Sequence, residues 1–311
     1  MSERDLISFI SGLQCDTSCP WLDIGIGDDC AVVDVEDDHH LVVTTDMLIV
    51  GTHCGPDTAP ELIGRKAIAR AMSDLAAMAA SPLANLAAVS FPPDATELFC
   101  EELCRALWES ADRFGGPLIG GDVSSGTTAL TVTVTSLGLV QDGEAVARAG
   151  AREGDAICVT GALGGSLRGR HLRFSPRIRE ARKLVDRYSV HAMIDVSDGL
   201  STDLGHICDC SGVGATLEAD SIPVHEDLQE ELEGTGAKNR DYVRRALNDG
   251  EDYELLFCVD ENSARQVQNS GLGEVRVTII GQVRSQRGMQ LHWSDGRYEK
   301  LEEGGWEHLN E

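Results

Sequence analysis

The sequence lacks the long apolar segments that mark membrane and secreted proteins. No stretch approaches the roughly 20 apolar residues of a membrane-spanning helix, and residues 1–5 do not have the basic-then-apolar order of a secretory signal. We therefore expect a cytoplasmic protein that does not bind membranes. The chain also shows no fixed-period repeat and no low-complexity tract, so repeat architectures are not expected.

Positive charge is scarce in this chain. It has only four lysines, at positions 66, 183, 238 and 300, and its formal net charge is −26 over 311 residues. Binding to a nucleic-acid backbone requires Lys and Arg to neutralise phosphates, so we expect no nucleic-acid partner. Anionic membranes are disfavoured for the same reason. The excess acid is spread along the chain, which is also compatible with a salt-adapted source.

Several motifs of common enzyme classes are missing. No Gly-x-x-x-x-Gly-Lys-Ser/Thr loop occurs, and the glycine-rich segment 161–165 matches neither that loop nor the dinucleotide fingerprint, so we expect a strand-to-helix turn there. No Gly-x-Ser-x-Gly elbow occurs, and Ser197 is flanked by acid, which disfavours a Ser/His/Asp hydrolase. The ten cysteines include no Cys-x-x-Cys pair, so we expect reduced, mostly buried thiols rather than zinc ligands.

The patterns that are present predict two domains. At 311 residues with 42% apolar content, the chain can form two separate cores. Strand-length apolar runs alternate with helical patterns, which predicts an α+β fold with a boundary in the polar stretch 141–154, giving domains 1–142 and 143–311. The alternating Thr and aliphatic residues of 127–140 predict a long strand that would expose a pairing edge or an apolar face in a monomer.

Short acidic clusters beside Gly, Ser or Thr are the most informative feature. They occupy residues 25–29, 44–46, 73–74, 120–122 and 195–199. Carboxylates and hydroxyls on glycine-permitted turns are ligands for hard cations such as Mg²⁺. One such cluster is usually a turn or a helix cap, whereas several at the ends of apolar runs predict a metal-phosphate site. A bridging metal ion would also allow so acidic a chain to bind phosphates.

Among these acids, Asp74 is the one least readily explained as part of a solvent-exposed turn. Residues 61–80 are rich in Ala and have apolar residues at helical spacing, so we predict a helix there with Pro60 in its first turn. Asp has poor helix propensity. A carboxylate among alanines on a core-facing helix needs a partner, and a metal ion is one candidate.

The ordered set of motifs resembles a known family. Besides the acidic clusters, the chain contains Thr52-His53, Gly-Glu-Asp-Tyr-Glu-Leu at 250–255 and Gly-Trp-Glu-His at 305–308. Together, over essentially the whole chain, these resemble thiamine-monophosphate kinases of the aminoimidazole ribonucleotide synthetase superfamily. The resemblance implies an N-terminal sheet domain that forms a homodimer and a C-terminal α+β domain. It also implies magnesium-assisted transfer of the γ-phosphoryl group of ATP, as co-substrate, to thiamine phosphate, giving thiamine diphosphate.

The resemblance further implies roles for individual residues. Several magnesium ions would be bound by Asp29, Thr44, Thr45, Asp46, Asp74, Asp122, Asp195 and Asp198. Among these, the catalytic carboxylates would be Asp46, Asp74 and Asp122. ATP would contact Gly121, Asp122, Arg148 and Ser197. Thiamine phosphate would contact His53, Glu251 and Trp306.

Simpler explanations exist for some of these residues when the family is set aside. Arg148 could be a surface arginine at a domain boundary, and His53 could be an ordinary loop histidine. Trp306 could fill a hydrophobic gap, since large aromatic side chains dominate core burial. Asp203 and His206 lie three apart on a predicted helix and could pair with each other, so they are left outside the ligand set.

Two other functions remain open from the sequence. A superfamily relative could use ATP on a different acceptor. Such proteins generally require a reactive glycine-rich N-terminal segment or a C-terminal Cys. This chain ends Trp-Glu-His-Leu-Asn-Glu. A non-catalytic divalent-metal-binding protein would bind metal without ATP turnover. That alternative gives no reason for His53 and Trp306 to accompany the acids.

Overall fold

The chain forms two compact units. The computed structural model describes residues 21–35, 38–126 and 128–306. The N-terminal unit contains the described residues up to Ala145 together with Leu172–Ile178, and the C-terminal unit contains Val146–His171 and the described residues from Arg179 onwards. Each unit has its own hydrophobic core, and the predicted α+β class is confirmed. Within the described residues, no helix combines the length and apolarity needed to cross a membrane.

The N-terminal unit is a six-stranded sheet with two helices. Its elements are β1 (Leu22–Ile24), β2 (Ala31–Asp34), β3 (His39–Ile49), α1 (Pro60–Ala77), β4 (Ser81–Phe91), α2 (Glu97–Phe114), β5 (Leu118–Ser125) and β6 (Thr131–Gln141). The strand order is β1-β2-β3-β6-β4-β5. Strands β4 and β5 are parallel, and α2 provides the crossover connection that a parallel pair requires. The other neighbouring strands are antiparallel.

Local sequence signals account for the two helices. Pro60 begins α1, where its missing N–H costs no hydrogen bond. Thr96 caps α2 by accepting the N–H of Phe99 at 3.2 Å, and Gly115 ends it in the left-handed conformation with φ +89°. Both helices contribute buried side chains to the core of the sheet. Asp74 lies within α1, as predicted.

Strand β6 lies in the middle of the sheet, between β3 and β4. It is therefore not a pairing edge, and it begins at Thr131. Val132 and Val134 face the helices and are completely buried. The alternate residues lie on the opposite face, which we call the open face. There Thr133 aligns with Met47, and Thr135 aligns with Leu86.

The C-terminal unit is built on a seven-stranded sheet. Its elements are β7 (Ala156–Thr160), α3 (Ile178–Val185), β8 (Val190–Asp195), α4 (Leu200–Ser211), β9 (Gly214–Glu218), α5 (Glu226–Leu232), α6 (Asn239–Asn248), β10 (Leu255–Val259), α7 (Glu261–Ser270), β11 (Val277–Arg284), β12 (Gly288–His292) and β13 (Tyr298–Leu301). Three short 3₁₀ turns lie at Ser166–Arg168, Arg170–Leu172 and Ala219–Ser221. The strand order is β13-β12-β9-β11-β7-β10-β8. Strands β7 and β10 are buried along their whole length.

Candidate active site

Strand β3 and helix α1 bring together three of the predicted site residues. The Thr44 hydroxyl donates to Asp74 Oδ2 at 2.6 Å. Asp46, two residues further along β3 and on the same face, forms an ion pair with Arg70 of α1 at 3.0 Å. Arg70 and Asp74 are four apart, so one helical turn places both side chains beside β3. Thr44, Asp46 and Asp74 therefore form one group on the helix-covered face of the sheet.

Arg70 is a functional candidate that the sequence analysis missed. Its side chain is only 12% exposed, and besides contacting Asp46 it donates to the Met47 carbonyl at 3.1 Å. The available signal was its position one turn before Asp74 on a predicted helix. The guanidinium offsets part of the charge of Asp46 and restricts the orientations open to that carboxylate.

Thr45 and Asp122 lie elsewhere in the N-terminal unit. Thr45 follows Thr44 directly, so its side chain is on the open face, where its hydroxyl lies 2.9 Å from that of Thr135. Asp122 pairs in register with Ala88 on β4, also on the open face, and β6 and β4 separate its strand from β3. The structure therefore does not bring these two side chains into the group of Thr44, Asp46 and Asp74.

Gly121 is a position where only glycine fits. A Cβ built there would lie 1.8 Å from the Ala87 carbonyl oxygen. The neighbouring strand is therefore packed against the Gly121 backbone itself. This close approach explains the glycine without any ligand, and the role of Gly121 in binding ATP stays a prediction.

Asp29 and His53 occupy two ordered turns of the same unit. The Asp29 N–H donates to Asp28 Oδ1 at 2.9 Å, a local contact between neighbouring residues. His53 follows β3 and is only 9% exposed. Its Nδ1 accepts the Ile49 N–H at 2.9 Å, and its carbonyl accepts a bond from the fully buried Lys66 ammonium. His53 is thus held in place at both its ring and its backbone.

In the C-terminal unit, the acidic loop after β8 is hydrogen-bonded to residues of two motifs that are distant in the sequence. Asp195 ends β8, and the chain then passes through Ser197 and Asp198 into α4. The Glu251 N–H donates to the Ser197 carbonyl at 2.6 Å. The Trp306 N–H donates to the Asp198 carbonyl at 2.9 Å. The acidic loop, the 250–255 motif and the C-terminal tryptophan are therefore joined by main-chain hydrogen bonds.

Carboxylates are crowded behind this loop. Asp203 of α4 is 1% exposed, and its Oδ2 accepts the Gly199 N–H at 3.1 Å. Burial raises the pKa of Asp203 well above its usual value, and the charges of Asp198 and Asp195 raise it further. The guanidinium of Arg148 acts in the opposite direction. Arg148 therefore lies close enough to Asp203 to influence the ionisation of that carboxyl group.

Asp203 and His206 belong to this cluster, although the sequence analysis left them outside it. Atoms of Asp198, Asp203 and His206 that could bind a metal all lie within 4.8 Å of one another. The helical spacing of Asp203 and His206, directly after Asp198, was the signal that could have included them. Asp198 therefore lies beside the two residues that were expected to pair with each other.

Trp306 does not fill the core of its unit. Its side chain is 53% exposed, which excludes that explanation. A Cβ at Gly305 would lie 2.1 Å from the Asp198 carbonyl oxygen and 2.6 Å from Thr202 Oγ1. Glycine is needed there for close packing against the loop, which keeps the indole at the surface beside Asp198.

The 250–255 motif has a constrained backbone. Glu251 and Tyr253 adopt φ angles of +57° and +53°, a conformation that costs a non-glycine residue roughly 1–2 kcal/mol. Asp252 between them is buried, accepts the Gly164 N–H at 2.9 Å and pairs with Arg170 at 2.9 Å. These contacts stabilise the strained segment.

Comparison with known proteins identifies the family. Residues 27–140 match the family model described as AIR synthase related protein, N-terminal domain, and residues 134–294 match the corresponding C-terminal domain. The thiamine-monophosphate kinase of Rhodopirellula baltica is 36% identical, over 98% of this chain and 97% of that protein. The chain belongs to the thiamine-monophosphate kinase family. The Escherichia coli (strain K12) thiamine-monophosphate kinase is 35% identical, over 93% of this chain and 92% of its own length.

A solved structure supports the same conclusion. The structure described as AaThiL complexed with AMPPCP and TMP is 28% identical and superposes with a TM-score of 0.85, covering 99% of this chain and 97% of that one. The resemblance to thiamine-monophosphate kinases and the expected two-domain fold of the aminoimidazole ribonucleotide synthetase type are confirmed.

Magnesium suits the donor atoms that this family member presents. In the N-terminal unit, Thr44, Asp46 and Asp74 offer hydroxyl and carboxylate oxygens, the ligand type that Mg²⁺ prefers. In the C-terminal unit, Asp195 and Asp198 raise the pKa of Asp203 through mutual repulsion. A divalent cation would relieve that repulsion, so the residues present fit the metal.

The ionisation of Asp252 predicts a pH-dependent stability. Burial raises its pKa to about 7 from the usual 3.8, although Arg170 and the Gly164 N–H act in the opposite direction. Because the folded state binds this proton more tightly, the stabilisation is complete below about pH 4 and is lost as the pH rises to about 7. The quantity to compare is the free energy of unfolding of the unchanged protein minus that of Asp252→Asn. We expect this difference to decrease as the pH rises from about 4 to about 7. Urea unfolding at several pH values measures it, and a constant difference would contradict the prediction.

Proposed function

We propose that the chain phosphorylates thiamine phosphate to thiamine diphosphate with ATP as the phosphoryl donor. The observation that carries this proposal is the 36% identity to the Rhodopirellula baltica thiamine-monophosphate kinase over 98% of the chain. The fold shared with AaThiL complexed with AMPPCP and TMP supports it. An oxygen of thiamine phosphate attacks the γ-phosphorus of ATP in line, the bond to the β–γ bridging oxygen breaks, and ADP leaves.

In the N-terminal unit, the group on β3 and α1 is proposed to bind metal. Asp74 and Asp46 act as carboxylate ligands, and the Thr44 hydroxyl orients Asp74 through their 2.6 Å hydrogen bond. Several bound magnesium ions would neutralise the polyphosphate and align its oxygens. Thr45 and Asp122 are retained as proposed ligands, and Gly121 as an ATP contact, on the family resemblance alone. Asp29 is also retained as a ligand, and one of its carboxylate oxygens lies within 4.8 Å of one of Asp74. His53 is proposed to contact thiamine phosphate from its fixed position after β3.

In the C-terminal unit, the loop after β8 is proposed to bind both metal and substrates. Asp195 and Asp198 supply carboxylate oxygens, and Ser197 contacts ATP. Arg148 offers a fork of N–H donors to a phosphate, and its influence on Asp203 supports a place beside the acidic cluster. Glu251 and Trp306, both bonded to this loop, are proposed to contact thiamine phosphate.

The exposed indole favours thiamine phosphate over other acceptors. Thiamine carries a cationic thiazolium ring, and tryptophan is the best aromatic partner for a cation. Trp306 and the carboxylate-bearing Glu251 are both bonded to the loop, so an aromatic face and a negative charge are offered to a cationic ring. A superfamily enzyme acting on a different acceptor has no need of this pair, and neither does a non-catalytic metal-binding protein.

A product assay tests the proposal directly. Purified protein is incubated with ATP, thiamine phosphate and Mg²⁺, and the products are separated by chromatography. We expect equal amounts of thiamine diphosphate and ADP, and no product when the metal is chelated. ATP turnover only with another acceptor would support a different superfamily reaction. Metal binding without any ATP turnover would support the non-catalytic alternative.

We also propose that two copies associate through the open face of the N-terminal sheet. Met47 and Leu86 on that face are 48% and 36% exposed. They flank the threonines of β6, so the face exposes large apolar side chains beside short hydroxyl-bearing ones. Proteins commonly cover such surfaces with a partner, and a two-fold axis lets the same patch serve both copies.

Replacing a side chain on the open face should separate the copies. We expect a dimer for the unchanged protein and a monomer for Leu86→Arg, because the substitution places charge in an apolar contact. Trp108→Arg is the matched control, since Trp108 on α2 is 60% exposed and lies away from the sheet. Light scattering at moderate salt measures the mass. A monomeric unchanged protein, or equal effects of the two variants, would contradict the proposal.

A further inference from the structure

Both carboxylate oxygens of Glu251 contact other side chains. His171 Nδ1 lies 3.1 Å from Oε2, and the Tyr253 hydroxyl lies 3.3 Å from Oε1. The side chains of His171 and Glu251 are only 9% and 18% exposed. An ionised carboxylate only accepts hydrogen bonds, so the histidine nitrogen and the tyrosine hydroxyl are the donors.

His171 belongs to a segment that is hydrogen-bonded to Glu251 and to its neighbour Asp252. Its neighbour Arg170 donates to the Gly164 carbonyl and to Asp252, each at 2.9 Å. Ser166 Oγ donates to the Glu251 carbonyl. His171 therefore lies in a segment that is hydrogen-bonded to the residues at and beside Glu251, whose carboxylate the imidazole contacts.

This frame fixes Glu251 along its full length. The backbone is held in the left-handed region at φ +57° and bonded to the Ser197 carbonyl. The carboxylate is held at both oxygens. A group ordered before binding loses less conformational entropy when a ligand arrives, so such ordering increases affinity.

We propose that His171 is a positioning residue for acceptor binding. By donating its Nδ1–H to Oε2, it keeps the Glu251 carboxylate oriented toward the thiamine phosphate acceptor. The inference rests on the proposed function, because it is Glu251 that contacts the acceptor. His171 acts through Glu251 and needs no contact with the substrate itself.

The chain offers a matched control for a purely structural role. His191 on β8 is also buried, with a side chain 9% exposed, and its Nδ1 pairs with Asp155 at 2.8 Å. If a buried histidine–carboxylate pair matters only for stability, replacing either histidine should have the same kinetic consequence. If His171 positions Glu251, the two replacements should differ.

Steady-state kinetics of four single variants and one double variant test the proposal. We expect His171→Leu to raise the KM for thiamine phosphate roughly tenfold, the order of one hydrogen bond to a charged group, with little change in the KM for ATP. His171→Asn keeps a donor near the Nδ1 position and should restore most of the affinity. His191→Leu should leave both KM values unchanged. In a Glu251→Gln background, His171→Leu should add little, because residues that act through one another are not additive.

The outcomes separate this proposal from the proposed function. If the unchanged protein does not phosphorylate thiamine phosphate, the proposed function fails and the inference fails with it. If the unchanged protein is active, equal effects of His171→Leu and His191→Leu, or full additivity with Glu251→Gln, overturn the positioning role alone. Should His171→Leu not fold, His171→Asn and Tyr253→Phe decide the matter. The first should stay near the unchanged KM, and the second should raise only the KM for thiamine phosphate. Any other pattern in these two contradicts the proposal.

Discussion

Replacing Asp74 by Asn is expected to lower the rate of thiamine phosphate phosphorylation by about a hundredfold or more, as for loss of a major electrostatic contact in phosphoryl transfer. Asparagine has the same shape and retains an oxygen that can accept the 2.6 Å hydrogen bond from Thr44. The substitution therefore removes charge from the proposed metal site and leaves the packing of α1 unchanged. Turnover at saturating Mg²⁺, with thermal unfolding measured in parallel, provides the readout.

Asp112→Asn is the matched control for this experiment. Asp112 is an exposed acid on α2 of the same unit, so its loss changes the net charge equally without touching β3. Asp46→Asn should match Asp74→Asn in activity, although it also leaves Arg70 without the 3.0 Å ion pair. Near-normal turnover of either variant at saturating metal would rule out that residue as a ligand.

Replacing Trp306 by Ala is expected to raise the KM for thiamine phosphate about tenfold while the KM for ATP changes little. A cation above a tryptophan face contributes roughly 1–2 kcal/mol when water is excluded, which corresponds to a change of that size. Because the indole is 53% exposed, its removal should not lower the thermal unfolding temperature. Steady-state kinetics with each substrate varied in turn separates the two KM values.

Trp108→Ala provides the comparison for Trp306→Ala. Trp108 is 60% exposed on α2, so its loss removes a similar aromatic surface away from the loop after β8. We expect both of its KM values to match those of the unchanged protein. An equal rise in the two KM values of Trp306→Ala, or a clear loss of its thermal stability, would argue against acceptor binding by the indole.

Local patterns in the sequence predicted helix α1 and the long strand β6. Helix α1, with Asp74 inside it, followed from its alanines, its apolar spacing and Pro60. Short elements such as β9, β12, β13 and α5 were not predicted. Strand β12 pairs in parallel with β9 and antiparallel with β13, so its stability comes from distant segments, and its own five residues carry little periodic signal.

The faces of the N-terminal strands show how tertiary structure refines a motif. Thr44 and Thr45 are adjacent in one acidic cluster, yet the two-residue period of β3 directs their hydroxyls to opposite faces. That alternation follows from the geometry of any strand and needs no tertiary contact. The position of Asp122 does need such contacts, because it depends on β5 pairing with β4 at the far side of β6.

The α+β class and the family follow from residues read in order along the chain, because both rest on apolar periods within each element and on short motifs in a fixed order. Which of those motifs meet depends on how the elements pack. Ser197 and Glu251, Asp198 and Trp306, and His171 and Glu251 are joined across long stretches of chain. Periodicity describes neighbours within one helix or strand. Contacts such as these arise when separate elements pack around a common core, and the local sequence of neither partner encodes them.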